Sequence, residues 1–485
     1  MKLKQRFVRT MWCLPLMFAS VLSARDYSVA DFGAVPNSDT DAGPAIQAAI
    51  EAAGKSPEDC MVFPAGSYLM ETPVLVPEEL HLIMKGEGDV TIRTGNNLKP
   101  LKLNGRHTPY FTAFQILGSK TDVDPFPKVI ALKNLKFVDE GDAENRSAVF
   151  NAQCYIESLR IEGCEFQGYT TAGNFGKVYT TEGDHPGSDA HTMIKSLVCK
   201  GNTVVSDDKE TSQVPKSFHF HCPANASITE NNFWGKGGGY VFRINGGNFD
   251  TIPVPERGSH DIEFAYNTVR SDTHHHEYCQ MTKSSNIKIH DNEAYASTKG
   301  AHNFMDLFNC RNVEFYNNKA TGGGLCFFGH ADIGGGKYSN KLIGSQNFHA
   351  WDNTITNPTH TCIFNLGGDG RVGGNRAGHD ALIERTKVIV EPGFDASRVA
   401  FIYSFIFNDI ELRDNDVRNI GRFIRTYFDR GYNIHDNYIE NVPELVKLEK
   451  VPGDDWRTRK THKFKDNELV GTSGTVSGFE KLTRK

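Results

Sequence analysis

Asp261-Ile-Glu-Phe-Ala-Tyr-Asn267 returns as Asn286-Ile-Lys-Ile-His-Asp-Asn292 and again as Asn312-Val-Glu-Phe-Tyr-Asn-Asn318. The closing asparagines are 25 and 26 residues apart, and weaker copies end at Gly163, Asn202, Asn232, Asn353, Asn415, Asn437 and Asn467. Each copy alternates apolar and polar residues, the period of a strand with one face buried. One such unit cannot bury its apolar face alone, whereas stacked copies bury it continuously. None of the copies carries the 3.6-residue period of a helical repeat. The expectation is an all-β solenoid, a parallel β-helix of roughly ten to twelve coils with rungs about 4.8 Å apart. The repeated Asn then serves the fold: it tolerates left-handed backbone in a turn and can hydrogen-bond from coil to coil.

At roughly 150 residues per domain the 485-residue chain would hold about three, but stacked repeats make it one elongated domain. Hydrophobic content of 39% and charged content of 23% exclude a disordered chain, and 46 Gly without a triplet period exclude collagen. A net charge of −6 lacks the basic stripe expected of a nucleic-acid binder. Ten Cys with no CxxC pair are too sparse for a disulfide scaffold and read as buried free thiols rather than a metal site.

The chain opens with Lys2, Lys4, Arg6 and Arg9, an apolar run from Met11 to Leu22 and the small pair Ser23-Ala24. This is the pattern of a bacterial secretory signal peptide over residues 1–24, too short to serve as a membrane span. Its removal takes the net charge to −10 and predicts a secreted or periplasmic protein, residues 25–485 forming one domain. No later segment has 18 consecutive apolar residues, so no membrane insertion is expected.

Residues 25–75 read as a cap: a short strand from Tyr27, a turn at Gly33, and a helix from Gly43 with Asp41 as N-cap and Pro44 in its first turn. Ile46, Ala49, Ile50 and Ala53 fall on one face of that helix. The order Asp31-Phe-Gly-Ala, Ala45-Ile-Gln-Ala-Ala-Ile and Phe63-Pro-Ala-Gly-Ser-Tyr68 resembles the N-terminal segment of the pectate-lyase-like superfamily. That resemblance implies a right-handed parallel β-helix plugged by a short amphipathic α-helix. It is specific for fold and weak for function, because polygalacturonases, lyases, epimerases and phage tailspikes share the cap.

Aligning the coils on the repeated Asn brings a second strand about 9 to 12 residues later, rich in His and Arg. Strand alternation then sorts the side chains. With Phe218, Phe220 and Cys222 inward, His219 and His221 point out. With Tyr240, Phe242 and Ile244 inward, Arg243 and Asn245 point out. Inward Cys279 and Met281 leave His276, Tyr278 and Gln280 outside; inward Met305 and Leu307 leave His302 and Asp306 outside. Cys362 and Phe364 leave Asn365 out, and Ile424 leaves Arg425 out. His330 and Asp332 lie on a rung whose parity is ambiguous. The stripe is expected to be a groove for a polysaccharide or oligosaccharide, walled by inserts at Gly173–Thr192, Val205–Lys216, Gly246–Ser259, Gly334–Asn347 and Gly367–Asp380.

The stripe offers three chemistries. β-Elimination on a uronate glycan needs a base, an acid and a carboxylate neutraliser; His276 or His302, Tyr278, and Arg243 with Asn245 or Asn365 supply them. A C5 epimerase would use the same parts. Glycoside hydrolysis needs two carboxyl groups, about 5 Å apart for retention or 6.5–9.5 Å for inversion, and Asp306 with Asp332 are the candidates, His330 beside them. A polygalacturonase-like or exo-galactosidase-like hydrolase is therefore the alternative. However, Gly329-His330-Ala331 matches only part of the polygalacturonase Gly-His-Gly, and Arg243-Ile244-Asn245 has the wrong third residue for Arg-Ile-Lys. Consecutive strand residues in His274-His275-His276 point to opposite faces, which disfavours zinc, and the stripe has no acidic cluster for calcium. No cofactor is expected, the protein is read as a monomer, and the remaining alternative is a glycan-binding β-helix without catalysis.

Overall fold

The computed structural model describes residues 24–98, 102–103, 106–107, 111–118, 128–141, 147–176, 192–207, 216–237, 239–246, 259–272, 279–296, 303–329, 345–367, 378–405, 407–427, 430–448 and 462–472. Its strands wind into a right-handed parallel β-helix. A representative coil runs Phe218–His221, Ala224–Thr229 and Asn232–Gly235 before the next coil begins at Phe242–Asn245. First strands of successive coils stack into a 13-stranded parallel sheet, here called the front sheet. Thirteen front strands slightly exceed the ten to twelve coils expected, because the first coils carry no closing Asn to be counted. Second and third strands form two further parallel ladders, joined into one 28-stranded sheet through the long strands Cys60–Met70 and Leu82–Thr94.

Alternation builds the interior as the sequence predicted. Ile262, Ile287, Val313 and Phe348 stack in one row, and Phe264, Ile289, Phe315 and Ala350 in the next, each at most 2% exposed. Under the front sheet, Phe114, Phe150, Phe175 and Phe220 form a column with ring centroids 5.1, 6.1 and 5.8 Å apart. Such pairs contribute about 0.5–1.5 kcal/mol each beyond their buried area.

The repeated asparagines do form a ladder, at the corner between the second and third strands. Asn202, Asn231, Asn267, Asn292, Asn318 and Asn353 follow one another, all within 2% exposure. Asn292 shows how every polar atom is used. Its Nδ2 donates to Phe264 O (2.9 Å) and to Asn318 Oδ1 (2.9 Å), and its Oδ1 accepts from the backbone N and Nδ2 of Asn267. One expectation is corrected: the left-handed residue is the one before the ladder Asn. Tyr266, Asp291, Asn317 and Asp352 have φ of 57°, 54°, 53° and 54°, which frees the Asn itself to turn inward. The same shift makes Asn231 the rung where Asn232 was expected; Asn232 is exposed in its strand. The ladder is broken once, at Thr386, whose hydroxyl finds no partner among the described residues, and resumes at Asn415, Asn437 and Asn467.

At that break an ion cluster spans the coils instead. Glu384, 4% exposed, accepts from Arg413 Nε (2.7 Å), lies 2.6 Å from Arg385 Nη1, and meets His349 Nε2 at 3.2 Å. Burial alone would raise its pKa, but the hydrogen bonds from Arg413, Arg385 and His349 outweigh it and hold the carboxyl at about 2.

The N-terminal helix α1 (Gly43–Ala53) closes the open end, burying Ile46, Ala49, Ile50 and Ala53 as expected. The N-cap is Ala42 and not the expected Asp41, whose Oδ1 accepts from Gly43 N (2.9 Å) and from Glu71 N (3.0 Å) and so ties the helix start to the following strand. The expected inserts are shorter than read, since Thr171–Phe175, Thr203–Val205, Ser259–Ala265, Gln346–Trp351, Cys362–Gly367 and Gly378–Glu384 are strands. Where two inserts leave, Gly329 and Gly367 are obligatory. A Cβ on Gly329 would lie 1.7 Å from Gly367 O, and Gly367 itself sits at φ +126°. The cysteines from Cys60 onward are free thiols, all buried except Cys60.

Asn292→Ala should cost about 1–3 kcal/mol in chemical denaturation, because it strands buried groups on both neighbouring coils; Asn232→Ala, at the surface, should be near neutral. Glu384 has a depressed pKa, so its contribution is present above the unfolded value near 4.3 and fades as pH falls toward about 2. The stability gap between the wild type and Glu384→Gln, measured by urea unfolding, should close as pH is lowered through that window.

Candidate functional site

Parallel register carries a single row of side chains up the outer face of the front sheet. Gln115, Asn151, Asn174, His219, Arg243, Gln280, Asp306, Phe327, Asn365, Tyr403, Arg425 and Lys447 are successive partners, one per rung. A second row beside it runs His221, Asn245, Thr282 and Phe308. The apolar residues between these positions, Phe242, Ile244, Cys279, Met281, Met305, Leu307, Phe364 and Ile424, are all inward with no exposure, as alternation requires.

Among the expected site residues, His219, Arg243, Gln280, Asp306, Asn365 and Arg425 therefore share one row, and His221 and Asn245 share the other. His276, Tyr278, His302, His330 and Asp332 lie outside the described residues. The ambiguous rung is resolved: Cys326 and Phe328 are buried and Phe327 faces out. One parity reading is corrected. Tyr240 is half-buried on the groove side rather than in the core, where Val241 takes its place with no exposure. The chain enters the sheet in a turn there, so alternation starts one residue later. Cys222, also read as a core position, sits at φ 45° in a small satellite cluster with Tyr155 and Met193.

The centre of the row is knitted across rungs. The Arg243 guanidinium lies over the Tyr240 ring, 5.2 Å from its centroid, and Gln280 Nε2 donates to Tyr240 Oη at 3.3 Å. Tyr240 so touches two adjacent rungs. Thr282 Oγ1 donates to Asn245 Oδ1 at 3.1 Å, while Asn303 Nδ2 donates to Asp306 Oδ1 at 3.3 Å. Asp306 is only 3% exposed and is the one carboxylate in these two rows among the described residues. Burial pushes the thiols of Cys279 and Cys326 behind it well above their ordinary range, and the Asp306 charge adds to that shift.

The ends of the row differ. Toward the N-terminus it is a chain of amides: Asn151 Nδ2 donates to Gln115 Oε1 (2.9 Å), and His221 Nε2 lies 3.0 Å from Asn174 Oδ1. The His219 and His221 rings lie beside each other with centroids 3.8 Å apart. Toward the C-terminus, Phe327 packs on Phe308 at 4.9 Å, and the Arg425 guanidinium lies over the Tyr403 ring at 5.2 Å. Tyr240, Asn303, Phe327, Tyr403, Lys447 and the amide chain were missed from sequence. Alternation could have found several of them, since Gln115 lies between Phe114 and Ile116, and Tyr403 follows Ile402. No cluster of metal-ligating side chains occurs among the described residues, nor does any of their helices have the length and apolarity to cross a membrane.

Strands and capping helix together define a capped parallel β-helix. Residues 27–108 match the family model described as rhamnogalacturonase A/epimerase, pectate lyase-like. The surface adhesin PfbA of Streptococcus pneumoniae is similar at 13% identity and TM-score 0.45, covering 87% of this chain and 100% of its own. A tailspike protein, gp49 of Pseudomonas phage LKA1, is 10% identical with TM-score 0.49, covering 92% of this chain and 83% of its own. An exopolygalacturonase from Thermotoga maritima is 11% identical with TM-score 0.40, covering 94% and 93%. No curated protein sequence matches the chain.

Tyr240→Phe removes the hydroxyl that bonds Gln280 but keeps the ring beneath Arg243, so unfolding free energy should fall by no more than about 1 kcal/mol. Tyr240→Ala also forfeits the cation–π contact and ring packing and should fall clearly further in the same calorimetric measurement.

Proposed function

We propose that the chain is a secreted or periplasmic carbohydrate-active enzyme that cleaves a uronate-containing polysaccharide by β-elimination. The observation that carries this reading is the front row itself: a fixed cation, Arg243, stands two rungs from one buried carboxylate, Asp306, in a continuous polar track. Elimination is limited by the weak acidity of the C5 proton, so the first requirement is a cation held against the sugar carboxylate. Arg243 is pre-positioned for this by the Tyr240 ring, and Asn245 and Gln280 flank it with amides. His276 and His302, the candidate bases, precede the strands Cys279–Thr282 and Asn303–Phe308 by three residues and one residue. Imidazole accepts a proton near neutral pH, and Asp306, within the second of these strands, would hold such a base in its productive tautomer. Tyr278 would return the proton to the leaving oxygen. Hydrolysis needs a pair of carboxyl groups; elimination is supported by what the described rows do carry, imidazole, guanidinium and amide groups on successive rungs.

A panel of uronate and neutral glycans tests the reading. Ultraviolet-absorbing unsaturated products from a uronate substrate are expected. New reducing ends without that absorbance would replace elimination by hydrolysis, and binding without any product would replace the enzyme by a glycan-binding protein. Arg243→Gln and His302→Ala should each lower kcat/KM by about 10²–10⁴ with unchanged melting temperature; full activity in both would overturn the site. The mass of the exported protein should lack residues 1–24.

A further inference from the structure

We propose that Arg311 is the centre of an anion-binding site on the outer corner between the front sheet and the ladder of second strands, where it holds the carboxylate or sulfate of an acidic saccharide. The site stands on its own geometry, while the saccharide as carrier of the anion rests on reading the front row as a glycan groove. Arg311 opens the strand Arg311–Tyr316, three residues after Phe308 ends the front strand of the Asp306 coil. Cys310 before it is inward with no exposure, so alternation turns Arg311 outward. Its guanidinium makes no ion pair or hydrogen bond with the described residues, and Nη2 is enclosed without an acceptor. Burial pushes its pKa down, and among the described residues no carboxylate counters that shift. A half-buried cation in this state calls for an anion from outside the chain.

The surroundings withhold a counterion. Register places Ser285 and Gln346 one rung to either side of Arg311, and His260 and His379 two rungs away. Each of these five residues is followed by a left-handed one, in order Asp261, Asn286, Asn312, Asn347 and Asp380. The three nearest Arg311 are neutral and bonded to one another, Asn312 Nδ2 donating to Asn286 Oδ1 (3.0 Å) and Asn347 Nδ2 to Asn312 Oδ1 (2.8 Å). The two outer acids are taken by their own neighbours: His260 Nδ1 lies 2.7 Å from Asp261 Oδ2, and His379 Nδ1 pairs with Asp380 Oδ2. Glu314, on the Arg311 strand, faces Lys288 at 3.8 Å. A planar guanidinium matches an oxyanion with two parallel hydrogen bonds. The Ser285 hydroxyl and the Gln346 amide, about 4.8 Å to either side along the row, are uncharged groups suited to sugar hydroxyls.

Thermal unfolding of the whole protein reads the site first. Millimolar inorganic sulfate should raise the melting temperature of the wild type and not that of Arg311→Gln. Without added anion, Arg311→Gln should melt at or above the wild-type temperature, because it removes an unpaired cation; a clear drop would make the guanidinium structural and overturn the site. Isothermal titration calorimetry with a uronate trimer and a sulfated trimer then reads the carrier. Arg311→Gln should weaken acidic-trimer binding by about tenfold or more, and Arg311→Lys, which keeps the charge but loses the fork, should fall between. A loss confined to the uronate trimer assigns the site to carboxylate, and one confined to the sulfated trimer assigns it to sulfate. Acidic trimers bound equally by wild type and Arg311→Gln overturn the site and leave the groove standing. Arg311-dependent protection by sulfate without binding of either trimer keeps the anion site and overturns the glycan reading. Neither protection nor binding overturns both.

Discussion

Every coil of this protein has to hand its backbone hydrogen bonds to the next at one fixed spacing. A parallel rung is about 4.8 Å, and no coil can choose another. That single constraint turns sequence repeats into rows: whatever residue type stands at a given register recurs, or fails to recur, directly above its predecessor. Inside the wall the constraint is met by apolar rows such as Ile287 over Ile262 and by the buried asparagine ladder, which supplies the corner with hydrogen bonds that strand ladders cannot. Outside, the same constraint lines up Arg243, Gln280 and Asp306 without any local motif to do it.

Much of this was legible in the sequence because a strand period of two is read from very few residues. Cys279–Met281 and Met305–Leu307 were enough to place Gln280 and Asp306 on one outer face. Tyr240 escaped because it precedes the strand, where the chain is still turning and alternation does not yet apply. The ladder position was off by one for a related reason. A left-handed residue and an inward Asn are neighbours in the turn, and composition alone cannot say which of two adjacent Asn residues, such as Asn317 and Asn318, does which job. Asn303, three residues before Asp306 in the chain, became visible only when the strand start brought the amide back onto the carboxylate.

The division of labour between scaffold and inserts follows from the same geometry. Residues fixed by register are positioned by two neighbouring coils each, so Arg243 and Asp306 are held by the wall itself. The histidines expected to exchange protons come from the segments entering those strands. On the proposed reading, the glycan would lie on side chains fixed by register, while the expected bases precede those strands in the sequence.

One coil departs from its neighbours at the corner. Where Asn353 should pass its hydrogen bonds to another amide, Thr386 stands, preceded by Arg385 at φ 48° in a turn elsewhere given mostly to Asp or Asn. The amide relay is replaced there by Glu384, Arg385, Arg413 and His349. In a structure whose coils touch only their nearest neighbours, coupling between any two halves is limited by the joint between them. Asparagine joints do not titrate; this one does. Protonation of Glu384 therefore weakens the joint between the coil of Asp306 and that of Arg425 at the one corner where the amide relay is interrupted.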